Sequence, residues 1–234
     1  MCIYGLQKVL NITPLVYAMD EQAKIFAENL GCKVSSIKPH PNKHVTSVDI
    51  LSKCVAEYLI ILDADCWILD KSIFDKLLNA IKKSDIACAA HTGKFDIPYL
   101  FKRLKPIELF SALREAMRLY PKFFAAWALA PELRIDNLNS GCVVDLPFPY
   151  GGIALFKADA FQNINLPMWT HSADLLLGMH IFENSLKIAD IGDFQFNKKI
   201  EYGYGIFHLA GPKPDKRIVS DYFNQYAEYL KKFR

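Results

Sequence analysis

The first half of the chain switches repeatedly between short continuous apolar runs and longer stretches whose apolar residues recur at helical spacing. Leu6–Asn11 reads as helical and Leu15–Met19 as a strand ending at Asp20. Glu21–Leu30 is an amphipathic helix closed by Gly31, a residue able to take the left-handed conformation that ends helices. Cys32–Ile37 reads as a second strand, and Pro39-His40-Pro41-Asn42 breaks the chain. Ser47–Glu57 has helical spacing, with Val48, Leu51 and Val55 on one face. Tyr58–Leu62 is a strand, Ile73–Lys83 a helix with Asp70 as its candidate N-cap, and Asp85–Ala90 a strand. Strands separated by helices of this length imply parallel pairing through right-handed crossovers.

The pattern changes in the middle. Pro106–Tyr120 carries apolar residues at Leu109, Phe110, Leu113 and Met117, a helical stripe. Pro121–Pro149 is aromatic and punctuated by prolines without clear periodicity. It reads as an irregular insertion that shapes a pocket or lid, or as an ordinary core segment. Tyr150-Gly151-Gly152 precedes a strand over Ile153–Phe156 and a helix from about Ala158. Ser172–Glu183 is helical, Lys187–Ile191 a strand, and Ile206-Phe207 a short strand before His208. The tail, Ile218–Arg234, is a helix with Val219, Tyr222, Phe223, Tyr226 and Leu230 on one side. The prediction is one α/β domain with a mostly parallel central sheet flanked by helices. Residues 6–92 form a nucleotide- and metal-binding half, 93–149 an irregular helical insertion, 150–214 an acceptor-side half and 215–234 a C-terminal helix.

Candidate chemistry begins where Tyr58-Leu-Ile-Ile-Leu62 runs into Asp63-Ala64-Asp65. Side chains two apart on a strand point the same way, so extension past Leu62 would send both acids out together. Two convergent carboxylates repel unless something positive lies between them. A hard divalent cation such as Mg²⁺ or Mn²⁺ answers this, and it could carry the diphosphate of a nucleotide. The strand's carboxyl end is where ligands sit in open α/β sheets. The competing reading is that the acids merely cap a turn.

The bulk composition narrows the classes. At 234 residues and 52% hydrophobic content, the chain can bury a full core. A net charge of +3 with no long like-charge run does not suggest a nucleic-acid partner. Six cysteines without a Cys-x-x-Cys pair fit buried reduced thiols of a cytoplasmic protein, with the inner membrane surface as a second location. No apolar stretch reaches membrane-spanning length. Phe123–Ala130 is the nearest; it is expected to reach at most a peripheral membrane contact, with Arg114, Arg118 and Lys122 just upstream. There is no Gly-x-Gly-x-x-Gly or phosphate-loop lysine motif.

The run Ala56-Glu57-Tyr58-Leu59-Ile60-Ile61-Leu62-Asp63-Ala64-Asp65 resembles the Asp-x-Asp segment of GT-A-fold glycosyltransferases, family 2 above all. Ala173-Asp174-Leu175-Leu176-Leu177-Gly178, then Lys187-Ile188, is similar to that family's Glu-Asp-x-x-Leu-Gly helix and the strand behind it. Tyr150-Gly151-Gly152 stands where the family has its small-residue turn. His208-Leu-Ala-Gly-Pro-Lys-Pro214 looks like the His-x-x-Gly-x-x-Lys-Pro-Trp signature of family 8, one residue short. The likeness departs in three places: the family's first strand has no room before Leu6, its Arg-Asn pair is missing, and Ala173 replaces Glu.

The resemblance implies a GT-A fold and a nucleotide-diphosphate sugar donor, with a glycan, lipid or protein as acceptor. It makes Asp65 the firmer ligand of Mn²⁺ or Mg²⁺ and gives Asp63 to metal-bound water or ribose. His208 either completes the ion's shell, as the matching histidine does in family 8, or is a hydrogen-bonded core or loop histidine. Asp20 either contacts the nucleobase or caps the following helix. Lys213 can meet the departing phosphate as a point charge or sit solvated in a loop, and Gly151 and Gly152 let the donor sugar approach the backbone. Asp174, on a helix end, is the candidate base, with His171 behind it; its alternative is an acid stabilised by the helix dipole. A direct base favours inversion of the sugar, the family 8-like segment favours retention, and the balance falls to inversion. Two other readings share these residues: a sugar-phosphate nucleotidyltransferase and a non-catalytic nucleotide-sugar-binding domain.

Overall fold

The structure is a computed structural model; it describes residues 2–36, 43–91, 94–96, 105–129, 143–145, 149–162, 164, 173–192, 194–196, 204–208 and 216–233. In chain order the elements are α1 (Cys2–Leu10), β1 (Leu15–Val16), α2 (Glu21–Asn29), β2 (Lys33–Val34), α3 (Lys43–Lys53), β3 (Tyr58–Leu62), β4 (Cys66–Ile68) and α4 (Ser72–Ile81). Then come β5 (Ile86–His91), β6 (Lys94–Asp96), α5 (Pro106–Leu119), α6 (Pro121–Leu129), β7 (Val143–Asp145) and β8 (Pro149–Lys157). A 3₁₀ turn, Ala158–Phe161, leads on to α7 (Ala173–Glu183), β9 (Ile188–Asp190), β10 (Phe194–Phe196), β11 (Ile206–His208) and α8 (Lys216–Leu230).

The architecture is mixed α/β around a central sheet of order β3-β8-β5-β9. β5 and β9 pair in parallel, while β8 is antiparallel to both β3 and β5. Three strands therefore share one direction, as the helix-strand alternation predicts. They are not all neighbours, because the reversed β8 separates β3 from β5. A second sheet, β10-β11-β4, joins β11 antiparallel to β4, and β1 pairs in parallel with β2.

The sheet is covered on both faces, which is why its strands read as unbroken apolar runs. Along β5, Ala87 and Ala89 join one core cluster and Ile86 and Cys88 the other. The period of two is thereby resolved into two layers. The first cluster takes Leu6 and Val9 of α1, Trp67 of β4, Ile73, Leu77 and Ile81 of α4, Phe207 of β11, and Tyr226 and Leu230 of α8. The second takes Val48 and Leu51 of α3, Phe161, and Leu177 and Ile181 of α7. None of the five described cysteines is in a disulfide.

Two expectations are corrected, and the direction of the α5 stripe is settled. Val55 lies beyond the end of α3 and is 100% exposed, and Val48 and Leu51 are buried on that helix with the partly buried Val45 beside them. The stripe on α5 faces outward at Phe110 and Met117: Ala112, Ala116 and Tyr120 are buried, whereas Phe110 is 75% and Met117 51% exposed. Pro121–Leu129 is helical rather than irregular. Its amino end is held by Glu183 of α7, whose carboxylate accepts from the amides of Lys122 and Phe123 at 3.3 and 3.1 Å. Lys122 Nζ donates to the Glu183 carbonyl at 2.9 Å, and Phe123 and Phe124 are buried. These two rings are therefore turned away from any membrane surface. No helix among the described residues is long and apolar enough to cross a membrane.

His180 of α7 is a buried histidine inside this packing. Its Nε2 lies 3.0 Å from the Ala160 carbonyl, and Asn184 approaches its Nδ1 at 3.3 Å. Burial lowers its pKa below the ordinary 6.5, against a smaller opposing pull from the Ala160 carbonyl. A lowered folded pKa means the native state resists the proton that the unfolded chain accepts. The resulting stability is full above about pH 6.5 and is lost as pH falls through the folded value. The melting temperature should therefore drop between pH 7 and pH 5, and His180→Gln should flatten that slope. An unchanged slope in the variant would assign the pH dependence to other groups.

Candidate active site at the end of β3

β3 ends at Leu62, as its composition predicts, but extension does not persist beyond it. The chain turns: the Cys66 amide donates to the Asp63 carbonyl at 3.0 Å, and β4 starts immediately. The two acids thus sit on a tight turn between two strands instead of on one extended edge. They still share a locality. The thiol of Cys2, in the first turn of α1, is pushed up to about 12 mainly by burial, with Asp63 and Asp65 both adding to the rise. Burial likewise raises the Cys66 thiol, and the same two carboxylates contribute. Both acids are half-buried, and Oδ1 of Asp65 is shielded from solvent.

Two further predicted residues arrive at this turn through strand pairing. The Asp63 amide donates to the Gly152 carbonyl at 2.8 Å, continuing the β3–β8 ladder one step past Leu62 and Ile153. Gly152 has φ +78°, a backbone conformation that a side chain would strain. Gly151 and Gly152 lie where the register of β8 on β5 shifts between Cys88 and Ala90, so the glycines form an irregularity beside the acids. On the other side, β11 pairs with β4 so that His208 stands opposite Cys66, the residue after Asp65. Asp63, Asp65, Gly152 and the backbone of His208 are brought to the turn between the two sheets, from segments far apart in sequence.

The other candidates stand differently. Asp20 caps α2: its carboxylate accepts from the Ala23 amide at 2.7 Å, in an exposed position. Asp174 is the second residue of α7, in the helix's first turn. Lys213 and His171 lie outside the described residues, as does the break Pro39–Asn42. Sequence reasoning did not find Cys2 as a neighbour of the acids. No local signal could have, since its approach depends on α1 packing against β4. An open cleft of about 560 Å³ lined by Glu57, Tyr58, Lys157, Asp159 and Gln162 sits at the amino end of β3, away from the acid pair.

Among the described residues no group of three or more His, Cys, Asp or Glu side chains is arranged to hold a metal. Two carboxylates are nevertheless the usual protein share for Mg²⁺, which keeps waters and takes substrate phosphate oxygens for its remaining positions. A carboxylate oxygen shielded from water and a negative potential felt by two thiols fit a hard cation better than a thiolate-bound one.

No family model and no curated protein matches the sequence. One solved structure, a CMP:2-keto-3-deoxy-manno-octonic acid synthetase complexed with CTP, is similar at a TM-score of 0.47 and 13% identity. The match covers 96% of this chain and 84% of that one. A likeness at this level says nothing of activity.

Proposed function

We propose that the chain is an enzyme of nucleotide-sugar chemistry, with Asp63 and Asp65 holding Mn²⁺ or Mg²⁺ against the phosphates of a nucleotide. The observation that carries this reading is the turn after β3, where two acids, a glycine of positive φ and the strand ending in His208 converge. The cation would supply charge neutralisation for a phosphate leaving group. Gly152 leaves room for a ligand to approach the backbone, and His208 is the candidate third ligand. Lys213 is the candidate phosphate contact, and Asp20, already committed as an N-cap, has one oxygen left for a nucleobase.

In the sugar-transfer form of this reading, an acceptor hydroxyl of a glycan, lipid or protein attacks the anomeric carbon. The carbon–oxygen bond to the diphosphate breaks, and the hydroxyl proton passes to Asp174. Asp174 is offered for this role by its place in the first turn of α7. In the nucleotidyl-transfer form, a phosphate oxygen of a sugar phosphate attacks the α-phosphate of a nucleoside triphosphate, the bond to the β-phosphate breaks and pyrophosphate leaves. The acid pair serves both, and the products separate them. Incubation with a panel of nucleotide-diphosphate sugars and Mn²⁺ should release nucleoside diphosphate under the first. Incubation with nucleoside triphosphates and sugar phosphates should release pyrophosphate under the second. Release of neither leaves a binding domain and defeats the enzyme reading.

Asp174→Asn is expected to leave donor binding intact and slow transfer by about a hundredfold or more, the usual worth of a general base. Initial rates at saturating donor check this. Transfer at the parental rate would remove Asp174 from the mechanism.

A further inference from the structure

The outward face of α5 carries large apolar side chains that its buried face does not use. We propose that this face docks the protein in the plane of an anionic lipid bilayer. The helix is anchored by Ala112, Ala116 and Tyr120, which are buried at intervals of one turn. At about 100° per residue, Leu109, Leu113, Met117 and Phe110 fall in one adjoining arc about 100° wide. Leu109, 39% exposed, and the half-buried Leu113 lie at the edge nearest the core, while Met117 and Phe110, 51% and 75% exposed, form the edge that stands in solvent.

Charge is segregated around that arc, and this selects the partner. Arg114 and Arg118, one turn apart and exposed, border it on the side away from the buried face. Glu115 and Glu108 fall on the opposite side of the helix from the arc. Glu108 is also turned back on the helix end, where its carboxylate accepts from the Lys105 amide at 2.9 Å. An apolar strip edged by arginines, with acids kept away, is what an interfacial helix needs: apolar groups enter the acyl boundary while guanidinium groups meet lipid phosphates. A second copy of the chain would use the apolar strip but would leave the arginines facing one another. The neighbouring α6 turns Phe123 and Phe124 inward and ties Lys122 to Glu183, so the contact belongs to α5.

The test is sedimentation of the full chain with large unilamellar vesicles, either phosphatidylcholine alone or with about 30 mol% phosphatidylserine. The expected result is partition at least about tenfold stronger onto the anionic vesicles, weakening as salt rises. Phe110→Glu should reduce it about tenfold or more. Arg114→Glu with Arg118→Glu should cost at least about fivefold per arginine. Both variants should melt like the parent, because these side chains make little packing. Equal, weak recovery on both vesicle types overturns the proposal, as does binding that Phe110→Glu leaves unchanged. A dimer in sedimentation velocity that Phe110→Glu disperses, without vesicle binding by the parent, assigns the face to a second copy instead.

Discussion

Asp65→Asn is expected to remove the Mn²⁺-dependent part of nucleotide affinity, a loss of about a hundredfold, while the chain stays folded. Asn keeps the shape of the side chain and deletes its charge, and a hard cation discriminates strongly on charge. The fold should tolerate the change because Asp65 lies on a turn, between a strand pinned by β8 and a strand pinned by β11. Neither ladder uses the side chain. Calorimetric titration of nucleoside diphosphate with and without Mn²⁺ is the measurement. In the parent, Mn²⁺ should strengthen binding; in the variant, the two titrations should coincide. A variant that keeps the full metal effect would place the cation elsewhere. A parent with no metal effect would remove the charge-neutralising role of the pair altogether.

The strand Tyr58–Leu62 was legible to the residue because burial on two faces leaves a continuous apolar run with polar flanks. The turn that follows it was not. The expectation of two acids leaving one extended strand assumed that β3 continued. In fact Cys66-Trp67-Ile68 is a strand of its own, drawn aside by β11 and by α8. Three residues are too few to display a period, and their partner, Ile206–His208, lies far along the chain. The approach of the strand ending in His208 to the acid turn therefore depends on a long-range pairing that no local pattern encodes; only the likeness of His208–Pro214 to a known signature pointed at it. α5 misleads for a different reason. Its largest apolar side chains mark the outer face, whereas the inner face is built from alanines that let the helix approach closely. A pattern weighted by side-chain size chooses the wrong side. Asp20 shows the reverse case, a residue whose local capping chemistry was readable and whose partner, the Ala23 amide, is the one helix capping requires.

Gly5→Ala should destabilise the protein by about 1–3 kcal/mol or more, opposite in sign to the gain of up to about 1 kcal/mol that Ala brings to an open helix position. Gly5 is buried in α1, and a Cβ there would overlap Tyr226 Oη and stand 3.2 Å from Tyr226 Cζ and 3.5 Å from the Ile68 amide nitrogen. Tyr226 has nowhere to retreat. It is fully buried, stacks on Trp67 with ring centroids 5.1 Å apart, and donates its hydroxyl to the Ile68 carbonyl at 2.7 Å. Either α1 lifts off β4 or the tyrosine leaves its acceptor, and both break the same core cluster. Tyr226→Phe alone should cost about 1–3 kcal/mol for the stranded carbonyl. Combined with Gly5→Ala it should cost less than the sum, since it deletes the oxygen that Cβ would strike. Denaturant unfolding of the two single variants and the double variant measures the coupling; strict additivity would show that Gly5 is not held small by Tyr226. The packing also reaches the candidate site. Ile68 lies three residues after Asp65, so under the proposed function a Gly5→Ala protein that still folds should bind nucleotide more weakly than the parent, because α1, which packs on β4 beside the acid turn, is the element displaced.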